Sequence, residues 1–326
     1  MFNKKKSALR IAALLLIIAA LCGQAGAAAA ADIVDGLGRT VRIEGEPQRI
    51  VVLPVWAEEM LLDMAPERVV GVSAWGDNPA LSATAELAKE IENRVSSDNA
   101  EGILALEPDL VVLDTYSAGF DGALADILEQ SGITVLCMAS PTSFSMVLDA
   151  LETLGEAAGA QENAAELIAG VRNTLNEIAM KVIHIDDNDR VSVMFYEDYY
   201  DESGSAGMLC AYGPGSPFDA IAKAAGVRNI CDAPNYSPVS KEKVVAEWRP
   251  QILIVPSCTF EQGGRVVENG GEALIEGIRG DATLADVPAV QNGWIYSIPD
   301  VYRGSTSHYM VQAAKELAQL AYPITF

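Results

Sequence analysis

The chain has 326 residues, a formal net charge of −23, 50% hydrophobic residues and 21% charged ones. The apolar share is enough for a core and excludes a disordered chain. The acidity excludes nucleic acid as a partner, because phosphate binding is led by Lys and Arg. The length fits roughly two domains of about 150 residues each.

Residues 1–31 read as an export signal. Lys4, Lys5, Lys6 and Arg10 precede an apolar run from Ile11 to Leu21, and small residues dominate from Gly23 to Ala31. Such a run covers about 16 Å, roughly half a bilayer core, so it is a secretory signal and not a span. The rest of the chain is therefore expected to be extracytoplasmic, in the periplasm or at the cell surface. Cleavage after Ala25-Gly26-Ala27 is the preferred reading. Lipidation of Cys22 is the alternative, disfavoured by Leu21 where such sites carry a small residue. The remaining cysteines, Cys137, Cys210, Cys231 and Cys258, form no CxxC pair, and with two His in the chain a zinc site is not supported. They read as buried small apolar side chains, with a Cys210–Cys231 bridge as one candidate pairing.

In chain order, residues 32–158 alternate short β-branched runs with helical stretches. Arg49–Leu53, Val69–Val72, Asp109–Asp114 and Ile133–Cys137 suit buried parallel strands. Ala57–Met64, Leu81–Glu92, Glu101–Leu106 and Gly122–Gln130 read as helices between them. The middle has little strand signal: Met146, Val147, Ala150, Leu151 and Leu154 share one helical face, and Gly155 and Gly159 mark a break. Glu162–Ile183 then predicts a helix of about 33 Å, long enough to link two lobes across residues 159–186. Residues 187–326 resume the alternation. Strands are expected at Arg190–Tyr196, Met208–Tyr212, Gln251–Val255 and Trp294–Ile298, with helices at Phe218–Ala225, Lys241–Trp248, Gly271–Arg279 and Ser307–Ala321. The fold class is thus α/β: two Rossmann-like lobes with central parallel sheets, joined by a long helix.

Ligands of open α/β sheets sit beyond the carboxyl ends of the strands. Aromatic residues make up 6% of the chain, yet they recur at those ends. Trp56, Trp75 and Tyr116 follow strands of the first half. Tyr196, Tyr199, Tyr212, Phe260 and Tyr302 follow strands of the second. Facing lobes would line a groove with these rings, which suits a bulky or flat conjugated guest. Any one ring taken alone reads first as core packing; it is their recurrence that points to a groove. Arg303, the basic residue of these end segments, either meets an anionic group of the guest or pairs within the protein. His308 opens the last helix as a capping-region residue or a metal or haem ligand, and His184 closes the linking helix. No nucleophile elbow or phosphate loop is legible: Gly36-Leu37-Gly38 precedes the first major strand, and the prolines of Gly213–Pro217 remove donors.

Four stretches resemble one known family, the extracytoplasmic binding proteins of ABC importers for ferric siderophores, haem or cobalamin. Asp35–Arg39 with Val41 and Pro47–Val51 resembles its opening hairpin and first strand. Ala100–Asp109 resembles its first-lobe helix-to-strand motif. Gly213–Asn229, with Asp219, Ala225-Gly226 and Asn229, resembles a second-lobe segment, and Ser240-Lys241-Glu242 the second-lobe Glu motif. The resemblance implies two lobes with little hinge motion, a permease as partner, and Glu101 and Glu242 as the carboxylates that meet permease arginines. Seven positions separate Glu101 from Pro108 but eight separate Glu242 from Pro250, a departure from the family's even spacing. The expected function is capture of a metal chelate (ferric siderophore, corrinoid or haem) by a monomer with no catalytic role and no cofactor of its own, the guest itself being an iron or cobalt chelate. Alternatives are an exported enzyme acting on a bound chelate, a Zn or Mn carrier, and a signalling receptor on the same fold.

Overall fold

The computed structural model describes residues 30–115, 117–118, 122–198, 208–260 and 265–326. The chain opens with an antiparallel hairpin, β1 (Ala31–Val34) and β2 (Thr40–Ile43). A five-stranded parallel sheet follows, built from β3 (Ile50–Val52), β4 (Val69–Ser73), β5 (Arg94–Val95), β6 (Leu110–Asp114) and β7 (Thr134–Met138) in the order β5-β4-β3-β6-β7. Its central strands are closed to solvent on both faces, which is why they run Ile50-Val51-Val52 and Leu110-Val111-Val112-Leu113, with a polar residue only at the end, Asp114. Helices α1 (Val55–Met64), α2 (Ala85–Lys89), α3 (Ala100–Leu104) and α4 (Ala123–Gln130) connect them.

Two helices leave this lobe. Helix α5 (Phe144–Ala158) starts at Ser143, whose hydroxyl accepts from Met146 N at 3.3 Å. Gly155 does not break it. A Cβ there would lie 2.4 Å from the Ala164 methyl, so glycine lets α5 press against α6 (Gln161–Val182). The break falls at Gly159, which ends α5 with φ +66. Helix α6 buries a narrow stripe, Ala164, Val171, Ile178 and Val182, and packs on helices of both halves.

The second lobe holds a four-stranded parallel sheet, β11-β8-β13-β16, from β8 (Ser192–Phe195), β11 (Arg228–Asn229), β13 (Ile252–Pro256) and β16 (Ile295–Ile298). The run 209–212 departs from expectation. As β10 (Leu209–Tyr212) it pairs antiparallel with β9 (Glu197–Asp198) and β12 (Tyr236–Pro238) in a separate sheet. A further hairpin joins β14 (Cys258–Phe260) to β15 (Val266–Glu268). The helices are α7 (Pro217–Ala224), α8 (Lys241–Lys243), α9 (Glu272–Gly280), α10 (Pro288–Asn292), α11 (Asp300–Arg303) and α12 (Met310–Ala321). One apolar cluster runs through both lobes, from Ile50 and Leu110 past Ala164 and Ile178 to Phe195 and Leu317. Cys137, Cys210, Cys231 and Cys258 are buried free thiols, so the candidate Cys210–Cys231 bridge is not formed and the cysteines serve as core.

Candidate functional site

Strand order reverses between β3 and β6 in the first sheet and between β8 and β13 in the second. Crevices open at such reversals, beyond the carboxyl ends of the strands. Here the two crevices face each other and enclose a chamber of about 820 Å³. Val55, Trp75 and Leu81 come from the first lobe; Tyr212, Phe218, Tyr236, Leu274 and Arg303 are among those from the second. A smaller annex of about 320 Å³ lies over the ends of β3, β4, β5 and β6, lined by Trp56, Ser73, Ser96, Ser97, Asp114 and Ser117. Trp75 and the loop Gly304-Ser305-Thr306 border both compartments. Thr306 holds φ +39, a costly conformation for a β-branched residue and one found where surrounding structure dictates it.

The chamber's second-lobe wall is aromatic. Tyr212 meets Phe195 edge-on, with centroids 5.0 Å apart and planes at 79°, and tilts against Tyr236 at 4.6 Å. The Arg303 guanidinium lies 4.5 Å over the Phe195 ring. It pairs with Asp300, donating from Nε to Oδ1 at 2.6 Å and from Nη2 to the same oxygen. Burial opposes its charge, but Asp300, Tyr212 and Glu197 together outweigh that and hold the guanidinium pKa above its ordinary value. Asp300 Oδ2 in turn accepts from the Ser257 and Cys258 amides at 3.1 and 3.0 Å and from Cys258 Sγ at 2.8 Å. Burial, reinforced by that carboxylate, pushes the Cys258 thiol pKa far up, so it is no nucleophile at neutral pH.

The lobes are also tied beside the cleft. Glu59 on α1 accepts hydroxyl hydrogen bonds from Ser305 and Ser307, and Asp63, one turn further on, accepts from Tyr309 Oη at 2.8 Å and meets His308 Nε2 at 3.0 Å. His308 thus bridges the lobes rather than lining the cleft.

Of the rings expected at the groove, Trp56, Trp75 and Tyr212 border it. Tyr196 does not: it is fully buried in the second lobe's own core, where its hydroxyl donates to Asp198 Oδ2 at 3.3 Å. Alternation along the chain turns Tyr196 inward and puts its neighbour Glu197 on the chamber. Tyr302 packs against the shared core, and Arg303 takes the cleft position beside it. Tyr116 and Tyr199 lie outside the described residues, and the Phe260 side chain is not described. Sequence reasoning missed Tyr236, which reaches the chamber from an antiparallel strand, and Leu81, whose segment is a loop. There the Ala83 amide donates to Glu59 at 2.6 Å, and helix α2 starts only at Ala85.

Glu101 and Glu242 are exposed in the first turns of α3 and α8, each behind a cap: Asn99 Oδ1 accepts from Gly102 N at 2.9 Å, and Ser240 Oγ from Lys243 N at 3.2 Å. The uneven Glu-to-Pro spacing has a local cause. Residues 244–248 form a π-type turn, closed by Arg249 N donating to Val244 O at 2.9 Å, which takes up one extra residue. Both segments then end alike, on a left-handed residue before proline: Glu107 (φ +47) before Pro108 and Arg249 (φ +45) before Pro250.

A two-lobed α/β molecule with one aromatic cleft between the lobes is the architecture of a solute-binding protein. The family model described as periplasmic binding protein matches residues 51–302, and the chain belongs to that family. It is 30% identical to the ABC transporter substrate-binding lipoprotein YvrC of Bacillus subtilis over 160 residues, so the match spans about half of each chain, 49%. Among solved structures it resembles the periplasmic heme-binding protein RhuT of Roseiflexus sp. RS-1 in apo form, with 25% identity and a TM-score of 0.66 over 86% of this chain and 100% of that one. Molybdate-bound MolA of Haemophilus influenzae aligns with 20% identity and a TM-score of 0.71 over 91% of this chain and 92% of that one. No helix among the described residues is long and apolar enough to cross a membrane.

Proposed function

We propose that the chain captures a metal chelate between its lobes outside the cytoplasm and delivers it to the permease of an ABC importer. The observation that carries this reading is the shared chamber, whose volume suits a guest of siderophore, corrinoid or haem size and whose walls offer Trp75 from one side and Tyr212 and Tyr236 from the other. The haem-binding neighbour and the ABC lipoprotein relative support it. The guest brings its own iron or cobalt, and the protein contributes shape, stacking and charge. The protein works as a monomer, without catalysis. Its exposed Glu101 and Glu242 dock on permease arginines, and the signal segment exports it. The lipoprotein relative supports Cys22 as an anchor, despite Leu21 before it. Absorption and fluorescence titrations with haemin, cobalamin and ferric siderophores test the reading. One-to-one saturable binding of one of them is expected; binding of none contradicts it.

A further inference from the structure

Charge in the cleft narrows the class of guest. Carboxylates lining the chamber are Glu197, Asp198 and Asp300, and Asp114 lines the annex; the cation among the described lining residues is Arg303. That cation already pairs with a chamber carboxylate, so the two charges offset one another. Both its bonds go to Asp300 Oδ1, and its plane is held over Phe195. An anionic guest that drew Arg303 away would leave a buried carboxylate without its partner. Of the others, Asp114 and Asp198 are less well compensated. Asp114 receives neutral donors, the Ser117 hydroxyl at 2.8 Å, the Ser117 amide at 2.7 Å and the Ser140 hydroxyl at 3.0 Å. Asp198, whose side chain is closed to solvent, shares Lys241 with Asp281, at 2.7 and 3.1 Å. Its Oδ1 is buried in the chamber wall with no hydrogen-bond partner among the described residues. That oxygen is closed to the chamber, so it adds negative charge behind the wall without being a direct contact for the guest. The remaining orphan in the lining is a donor, Trp56 Nε1 in the annex, and it is neutral.

We infer that the cleft selects guests of positive or zero net charge, such as a chelate carrying a protonated amine, and rejects polyanionic chelates. A concave site of one sign concentrates ions of the other and repels its own. This rests on the reading of the cleft as a chelate site and adds the charge class of the chelate.

The test uses the full chain and three iron(III) probes: a trihydroxamate with a pendant ammonium, its N-acetylated neutral counterpart, and a trianionic triscatecholate. The first two differ by one charge and share their metal-binding groups. Quenching of tryptophan fluorescence at low and at near-physiological salt reads the affinities. The ammonium chelate should bind about tenfold tighter than the acetylated one, lose part of that advantage as salt is raised, and bind far tighter than the triscatecholate. Asp114→Asn should reduce the ammonium preference by roughly threefold. Should the variant fold poorly, the salt dependence of the unaltered chain carries the same information. Equal or tighter binding of the triscatecholate, or a preference for the acetylated chelate, overturns the inference and leaves chelate binding standing. Binding of none of these probes, nor of haemin or cobalamin, overturns both.

Discussion

Glu58 shows how far burial sets the behaviour of a single side chain. It is fully buried on α1, with Oε2 accepting from Ser73 N at 3.1 Å and Oε1 without a partner among the described residues. Burial pushes its carboxyl pKa up to about 8, against the pull of the Ser73 hydrogen bonds. The folded state therefore holds a proton that the unfolded chain releases near pH 4.5. The proton's contribution is full below that value and is lost as pH rises towards 8, at up to about 1.4 kcal/mol per unit. Glu58→Gln should flatten the fall in stability between pH 5 and 8, as measured by urea unfolding at several pH values. Parallel profiles for the two proteins would show that Glu58 is ionised in the fold. Nothing in the local sequence distinguishes Glu58 from a surface carboxylate. Its burial comes from the Trp75-Gly76 turn folding over α1, a contact between residues far apart in sequence. The groove rings were legible in the same partial way: strand ends could be found, but which of Tyr196 and Glu197 faces the chamber depends on strand phase.

At the scale of elements, the α5–α6 contact depends on the lack of a side chain at Gly155. Gly155→Val should cost about 1–3 kcal/mol through overpacking. Gly170→Ala, on the exposed face of α6 with open space around it, should stabilise by roughly 0.5–1 kcal/mol. Thermal unfolding of the two variants checks both signs; a harmless Gly155→Val would mean that the helices do not meet there. The elements proposed for docking yield a different readout. Glu101→Ala and Glu242→Ala should leave chelate affinity unchanged while each lowers stimulation of permease ATPase activity, with the remaining stimulation weakening as salt rises. Full stimulation by the double variant would remove these carboxylates from the interface. Most parallel strands and long helices were readable because buried β-branched runs and apolar stripes have fixed periods. The antiparallel sheet of β9, β10 and β12 was not, since a short strand's sequence does not name its partner. The resemblance in the sequence implied a docking motif at Glu242 with uneven spacing, and spacing alone does not reveal the π-type turn that absorbs the extra residue.

For the molecule as a whole, the two halves are not independent bodies that happen to touch. One apolar cluster spans both through α6, and α1 holds the 305–309 segment of the second lobe with Glu59 and Asp63. The α/β class and the linking helix were legible from alternation and length. The mutual placement of the halves was not, because it depends on contacts such as Asn78 Nδ2 donating to Val266 O at 3.4 Å, between residues 188 positions apart. That placement brings Trp75 and Tyr212 to one chamber, and the binding reading rests on it. Calorimetric titration of Trp75→Ala and Tyr212→Ala with whichever chelate the unaltered protein binds is the most direct test. Each truncation should weaken binding by about tenfold, roughly 1.4 kcal/mol, as expected for a ring lost from either wall. Loss with one variant and unchanged affinity with the other would place the guest on a single lobe and contradict capture between the two.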